Sequence, residues 1–450
     1  MKLETLIYEA FVSFSKAHTG EEPAAFGIEA DSKGRQLSIS SGTESKIKLV
    51  SLALLKLNWP GCIKLDLAEH QKLTKKAILE AYVQCLDFGT LPVAARYFSH
   101  PYLKGLVKSF VVEFASFLPK NFTCHLPAAS TGLERNEPYV IGPVKIYSRM
   151  DWIDSIDYPS GALDYAGVDN SDWRENLKSA LVDKEVKLKP LSASLYGILI
   201  KSKCVISVAT EGYGEGLSQK LSTIMARTAL DSISLIFGKY KLFRSLMLYT
   251  ERRPPILTHS LVETDGFLWL AGAKLSDEVS PFLPCVEDLS DAKKKFLEAV
   301  GRVLTGLTSL DDGCPGLCQR WSTALDWHGE ACREVSDQIA IAKFGTCLDV
   351  LSSGGGKTSV IANMVSNLTK IPVDDNVVNI GEPLTLYKAI SKIYENGRSE
   401  ILHGNKVDRM TSFESLREMA EHFSRITLIS AALAYLNYSG ADSDKAFCEM

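Results

Sequence analysis

The sequence carries no surplus of positive charge. Its 50 Lys and Arg stand against 54 Asp and Glu, a formal net charge of −4 over 450 residues. No global basic field draws this chain onto duplex DNA, although an enzyme gripping a short single-stranded RNA loop needs none. Long uncharged apolar runs are lacking too. Ile426 to Tyr438 comes nearest, and its length and Asn437 keep it short of a membrane span. Glu4 and Glu9 stand where a secretory signal would want an apolar run. The 10 cysteines, at 62, 85, 124, 204, 285, 314, 318, 332, 347 and 448, follow no regular framework and read as reduced thiols. There is no fixed-period repeat and no low-complexity tail. These absences predict a cytoplasmic protein with no membrane partner and no cofactor.

Apolar material is ample. At 46% hydrophobic content, a chain of this length should fold as two or three domains. The pattern predicts an α+β multidomain protein in three parts. Residues 1–136 read as a mixed α/β region. It has a helix to about residue 18, strands near Ala25–Ser40, a helix opened at Asp66 and Glu69 by a variant of the capping box, and another after Pro101. A linker is expected at about 125–138, where Pro127, Gly132 and Pro138 cluster. Residues 137–290 read as a central α+β domain with antiparallel strands. Its strand candidates are Tyr139–Tyr147, Ser194–Ile200, Cys204–Ala209 and a hairpin about Asp265-Gly266, and one long helix runs from about Leu217 to Phe237. Its edge is expected near Pro281–Asp291. From Asp291 to the end the pattern is all-α, with helices at about 291–309, 315–352, 358–369, 383–396 and 412–436.

The most informative stretch is Gly397 to Gly404. Leu384, Tyr387, Ala389, Ile390, Ile393 and Tyr394 repeat at helical spacing, so an amphipathic helix leads into it. Gly404 suits the position just past a helix end, where a left-handed backbone is needed. His403 then lies in the last turn, where free carbonyls favour an imidazolium. Arg398 is a permanent cation whose planar fork matches phosphate oxygens. Together they supply what scission at a ribose 2′-hydroxyl requires, a proton-transfer group and a cation for the phosphorane charge. On an unbroken helix, side chains five apart are rotated by about 140°. They meet on one phosphate only through a local distortion, for which Gly397 is a candidate, or by pooling across a symmetric dimer. The plain alternative is an exposed Arg and His that bond the last carbonyls of a helix.

Arg398-x4-His403 followed by Gly404 resembles the signature of HEPN domains, helical modules of many ribonucleases. Cys318–His328 and Gln338–Leu351 resemble the first helices of the Apea-like HEPN branch, so the resemblance spans about residues 315–440. In that family the residue after the arginine is often Asn, Asp or His, and here it is Ser399; Asn396-Gly397 also interrupts the helix. The resemblance implies a C-terminal all-α HEPN bundle acting as a metal-independent endoribonuclease and a homodimer. Arg398 and His403 are the implied catalytic pair, with Ser399 and Asn405 as supporting neighbours. Asp349 lies where related domains often carry an acid; it either orients Arg398 through an ion pair or is a solvated helix residue. Such domains recur in bacterial anti-phage and toxin proteins, which implies an RNA substrate and a phage or host trigger acting on the preceding domains. The other reading is an inactive HEPN module that binds RNA or nucleotide, or only dimerises.

Competing motifs weaken on inspection. Ser353-Gly-Gly-Gly-Lys357-Thr358 suggests a phosphate-binding loop, but Leu351 stands where the first glycine belongs and the preceding run is helical, so a helix–helix turn is expected. Gly212-Tyr-Gly-Glu-Gly216 has Leu217 in place of the third glycine of a dinucleotide loop, and Asp231 falls inside a helix. Cys314, Cys318, His328 and Cys332 have metal-like spacings, yet one helix would spread them over about 27 Å, too far for one zinc. His422 is either a second acid/base or a surface histidine.

Overall fold

The structure, a computed structural model, describes residues 3–21, 28–30, 36–56, 64–87, 108, 110–116, 121–128, 133, 137–164, 167–237, 242–251, 257–258, 262–269, 274–275, 289–308, 313–378, 383–405 and 410–450. They group into two compact units, Met1–Phe122 with Thr210–Leu221, and Thr123–Ala209 with Ser222–Met450.

In the first unit, α1 (Leu3–Thr19) buries Leu6, Ala10 and Phe14, with Ile7 and Phe11 beside them, the stripe that a 3.6-residue period lays on one face. A short antiparallel pair, β1 (Ile28–Ala30) and β2 (Gln36–Ser38), follows. Ser40 Oγ caps α2 (Ser41–Leu55) by accepting from the Thr43 amide at 3.1 Å. Asp66 does the same for α3 (Leu67–Asp87), accepting from the Glu69 amide at 2.7 Å. Helix expected after Pro101 is present at 110–116, where Phe110 and Phe114 join the same core. Its beginning lies outside the described residues.

The second unit holds a small sheet in the order β3-β6-β5-β4, formed by β3 (Asn121–Ala128), β4 (Tyr139–Ile141), β5 (Val144–Ser148) and β6 (Cys204–Glu211). β5 pairs antiparallel with β4 and with β6. The expected linker at 125–138 therefore begins inside a strand. Pro127 is compatible with it because β3 ends the order of the sheet, and on its outer side the Pro127 carbonyl still accepts the Tyr249 amide at 3.0 Å. Between β5 and β6 lie α4 (Arg149–Ser155), α5 (Trp173–Val182) and α6 (Pro190–Leu199). The last replaces the strand expected at Ser194–Ile200. Pro190 starts it and Leu191, Leu195 and Leu199 recur every fourth residue, so the β-rich composition yields to a helical period.

After β6 run α7 (Glu215–Phe237) and α8 (Leu242–Ser245), then the antiparallel pair β7 (Leu257–Thr258) and β10 (Lys274–Leu275). Inside it β8 (Val262–Thr264) and β9 (Phe267–Trp269) form the expected hairpin, with Asp265 and Gly266 both at positive φ. The domain edge expected at Pro281–Asp291 falls almost wholly outside the described residues.

Helices dominate the remainder: α9 (Asp291–Thr308), α10 (Pro315–Arg333), α11 (Asp337–Leu351) and α12 (Thr358–Thr369). β11 (Asn376–Val378) and β12 (Leu384–Thr385) precede α13 (Leu386–Ser391), a π-helix at Lys392–Ser399, α14 (Glu400–Leu402), α15 (Glu414–Leu436) and α16 (Ala446–Glu449). The single helix expected over 315–352 is thus two. Glu334 turns extended, Ser336 caps α11, and Arg417 donates to the carbonyls of Ala331 and Glu334 at 3.4 and 2.8 Å. Residues from Ser222 onward in α7 pack into the same unit as these helices. Thr228 Oγ1 lies 2.7 Å from Ser322 Oγ, and Arg425 donates to the Leu235 carbonyl at 2.8 Å. The apolar residues of α15 are drawn into this packing: Leu428 is buried, and Ile426, Ile429, Leu433 and Leu436 are half-buried. Among the described residues no helix is long and apolar enough to cross a membrane.

Candidate functional site

The approach to the Arg398–His403 stretch is more irregular than an α-helix. From Lys392 to Ser399 the backbone follows a π-helix, the i→i+5 form that widens each turn. The reason lies against α11. A Cβ at Gly397 would stand 2.5 Å from Ile341 Cγ2, and one at Gly345 would stand 2.7 Å from Arg398 Cβ. Two glycines, one on each helix, let the backbones approach where side chains would hold them apart.

Arg398 reaches inward from this contact. Its Nη2 lies 3.4 Å from Asp349 Oδ2, and its Nη1 donates to Tyr394 Oη at 2.7 Å. Its Cζ sits 5.1 Å from the centre of the Tyr394 ring, within cation–π range. Tyr394 Oη in turn donates to Asp349 Oδ2 at 3.4 Å. Burial, and then the neighbouring Asp349 carboxylate, raise the Tyr394 phenol above its usual range. The second Asp349 oxygen accepts the Gly356 amide at 3.2 Å. Asp349 is buried, and of the two sequence readings the ion pair with Arg398 is the one the geometry displays.

The Gly-rich stretch enters here in an unexpected way. It joins α11 to α12 as a helix–helix turn, with Ser353, Gly354, Gly355 and Gly356 all at positive φ. The Ser353 and Gly354 amides return to the Val350 and Asp349 carbonyls at 3.3 and 2.8 Å, and the chain that turns back beyond them brings the Gly356 N–H to the Asp349 carboxylate. The side-chain anion of Asp349 takes that amide, and Lys357 is exposed at the cap of α12.

His403 is exposed. Its amide bonds the Ser399 carbonyl at 3.0 Å, so the α-type bond returns after the π-helix. The helix then closes with a Schellman motif: Asn405 N–H to the Glu400 carbonyl at 2.8 Å and Gly404 N–H to the Ile401 carbonyl at 3.1 Å. Gly404 has φ of 74°, which its missing Cβ permits. Leu402, His403 and Asn405 are exposed, while Ser399 is half-buried. Among the described residues no side-chain hydrogen bond or ion pair joins His403 to Arg398. The chain therefore brings Arg398 and Asp349 together and leaves His403 on the surface.

Tyr394 was read in the sequence only as one apolar position of a helical stripe. Its signal was available in the spacing, since an aromatic four residues before an arginine on a helix places a ring beneath the guanidinium. Cys314, Cys318, His328 and Cys332 are buried along or just before α10, and no cluster among the described residues has a metal-holding arrangement. His422 is exposed, packs edge-on to Phe423 at 5.5 Å, and has its basicity lowered by desolvation and then by Arg425. No family model matches the chain, and comparison with curated proteins and with solved structures finds no match either.

Proposed function

We propose that the helical part of the second unit is a HEPN-type endoribonuclease, an effector of bacterial anti-phage defence or a toxin. One observation carries the reading. A guanidinium anchored by Asp349 yet 27% exposed precedes, by five residues, an exposed histidine at a capped helix end with no side-chain hydrogen bond or ion pair among the described residues. In the reaction this supports, a ribose 2′-oxygen attacks the adjacent phosphorus while its proton passes to a base. The 5′-oxygen leaves with a proton, giving 2′,3′-cyclic phosphate and 5′-hydroxyl ends. His403 moves a proton at one of these oxygens, and Arg398 stabilises the charge that develops on the phosphate. The chemistry as written needs no divalent ion. Since no contact joins the two side chains within one chain among the described residues, the reading includes a homodimer in which copies of this helix end share one cleft. The reading has a phage or host trigger act on the regions that precede the C-terminal helices.

The test is incubation of the full chain with total RNA in EDTA, with end-group analysis of any fragments and light scattering for the oligomeric state. His403→Ala and Arg398→Ala should each lower cleavage by at least ~10²-fold. Cleavage that survives in both variants ends the assignment. A second reading, a HEPN-like module that binds RNA or nucleotide without cutting, is favoured by one observation: the Arg398 guanidinium is already engaged by Asp349 and Tyr394. Wild-type protein that retains RNA but leaves it intact would support it.

A further inference from the structure

We propose that Tyr394 is the positioning residue for Arg398, its phenol fixing the guanidinium in one orientation. The structural claim stands on geometry; its catalytic consequence rests on the nuclease reading above. The phenol oxygen is a relay between two charges, accepting from Arg398 Nη1 at 2.7 Å and donating to Asp349 Oδ2 at 3.4 Å. Only a neutral phenol does both at once, and burial beside Asp349 keeps Tyr394 in that form. The ring meanwhile lies under the same cation at 5.1 Å.

The backbone is shaped around this relay. A Cβ at Gly356 would stand 3.0 Å from Tyr394 Oη, so the glycine leaves room for the hydroxyl while its amide holds the far oxygen of Asp349. Gly345 makes the matching space for the stem of Arg398. Arginine is a long side chain with many rotamers, and two residues in fixed positions, Asp349 and Tyr394, remove that freedom before any phosphate arrives. Tyr394 touches neither phosphate nor ribose in this scheme and acts through Arg398 alone. The Gly-rich turn thereby acquires a role as part of the cradle for the cation, with Lys357 taking no part.

Full-length protein labelled with [15N]arginine provides the test. The Arg398 Nε–Hε resonance is identified by its disappearance in Arg398→Lys. In Tyr394→Phe, which keeps the ring and removes the hydroxyl, exchange of that proton with water should quicken by at least ~10-fold as the side chain gains freedom. For RNA cleavage, kcat should fall ~10- to 100-fold with KM within about twofold, since orientation rather than binding is lost. Tyr394→Met, which lacks the hydroxyl and the ring, serves if Tyr394→Phe folds poorly and should quicken the exchange at least as much. Unchanged Arg398 exchange in the folded Tyr394 variant overturns the proposal. If wild-type protein cleaves no RNA the nuclease reading falls, and the exchange result alone supports or overturns the positioning of Arg398.

Discussion

Inside the second unit, His328 holds an imidazole where solvent does not reach. Phe243 and Phe344 flank its ring, with centroids 5.3 and 5.1 Å away. Ser424 Oγ lies 2.8 Å from His328 Nδ1 and donates its own proton to the Ala420 carbonyl at 2.8 Å. Nε2 is buried and has no hydrogen-bond partner among the described residues. Burial first, then repulsion from Arg425 and Arg333, pushes the pKa down to about 3. The unfolded chain takes up a proton below its ordinary value of 6.5, while the folded chain does so only near 3. Stability from this residue is thus fully present above pH 6.5 and is lost as pH falls toward 3, at about 1.4 kcal/mol per pH unit. Urea midpoints measured from pH 7 to 4 should decline in the wild type and decline less steeply in His328→Phe. Parallel slopes would show that the fold does not keep this imidazole neutral.

At the scale of elements, the crossing of α11 with the π-helix depends on Gly345 and Gly397. Alanine normally favours a helix over glycine by up to about 1 kcal/mol. Here a Cβ would meet Arg398 Cβ at 2.7 Å or Ile341 Cγ2 at 2.5 Å, both tighter than real contacts allow. Overpacking of this kind costs about 1–3 kcal/mol, so steric conflict outweighs propensity. Gly345→Ala and Gly397→Ala should each lower the denaturation midpoint, and Gly345→Ala should also shift the Arg398 resonance; a raised midpoint would mean the helices separate freely. Local signals made much of this region legible beforehand. Period gave the helices, and Gly404 gave the helix end. The break at Glu334–Ser336 was hidden because the apolar period continues across it, so only tertiary capping by Arg417 reveals it. The helix at Pro190–Leu199 was hidden for the opposite reason, an aromatic and β-branched composition that imitates a strand. The Arg398–Asp349 ion pair was one of two readings the sequence left open, whereas the Tyr394 hydroxyl on Arg398 and the Gly356 amide on Asp349 were not legible, because they depend on how the π-helix and the Gly-rich turn fold onto α11.

For the molecule as a whole, sequence composition suggested a central domain distinct from the helices that follow it. Thr123–Ala209 and Ser222–Met450 fall in one compact unit. A buried ion pair ties α7, inside the expected central domain, to α10 of the helices that follow. Asp231 of α7 and Arg333 of α10 are both buried, with Asp231 Oδ2 3.3 Å from Arg333 Nη1 and a second contact from Oδ1 to Nη2. Arg333 Nε also donates to the Phe243 carbonyl at 3.0 Å. Burial pushes the Asp231 carboxyl up to about 6 against the pull of Arg333 and Arg227, so desolvation offsets much of the attraction. Such a pair adds little net stability while being expensive to break from one side. Asp231→Asn or Arg333→Met alone should each destabilise by about 3–5 kcal/mol, because one polar group is stranded. The double variant should cost much less than their sum, with a coupling of at least about 1.5 kcal/mol. In both singles the loss should lower the melting of the sheet and of the C-terminal helices together, as hydrogen exchange resolved by segment would record. Additive losses, or destabilisation confined to α10 and its neighbours, would mean that this contact does not bind the two regions into one cooperative body.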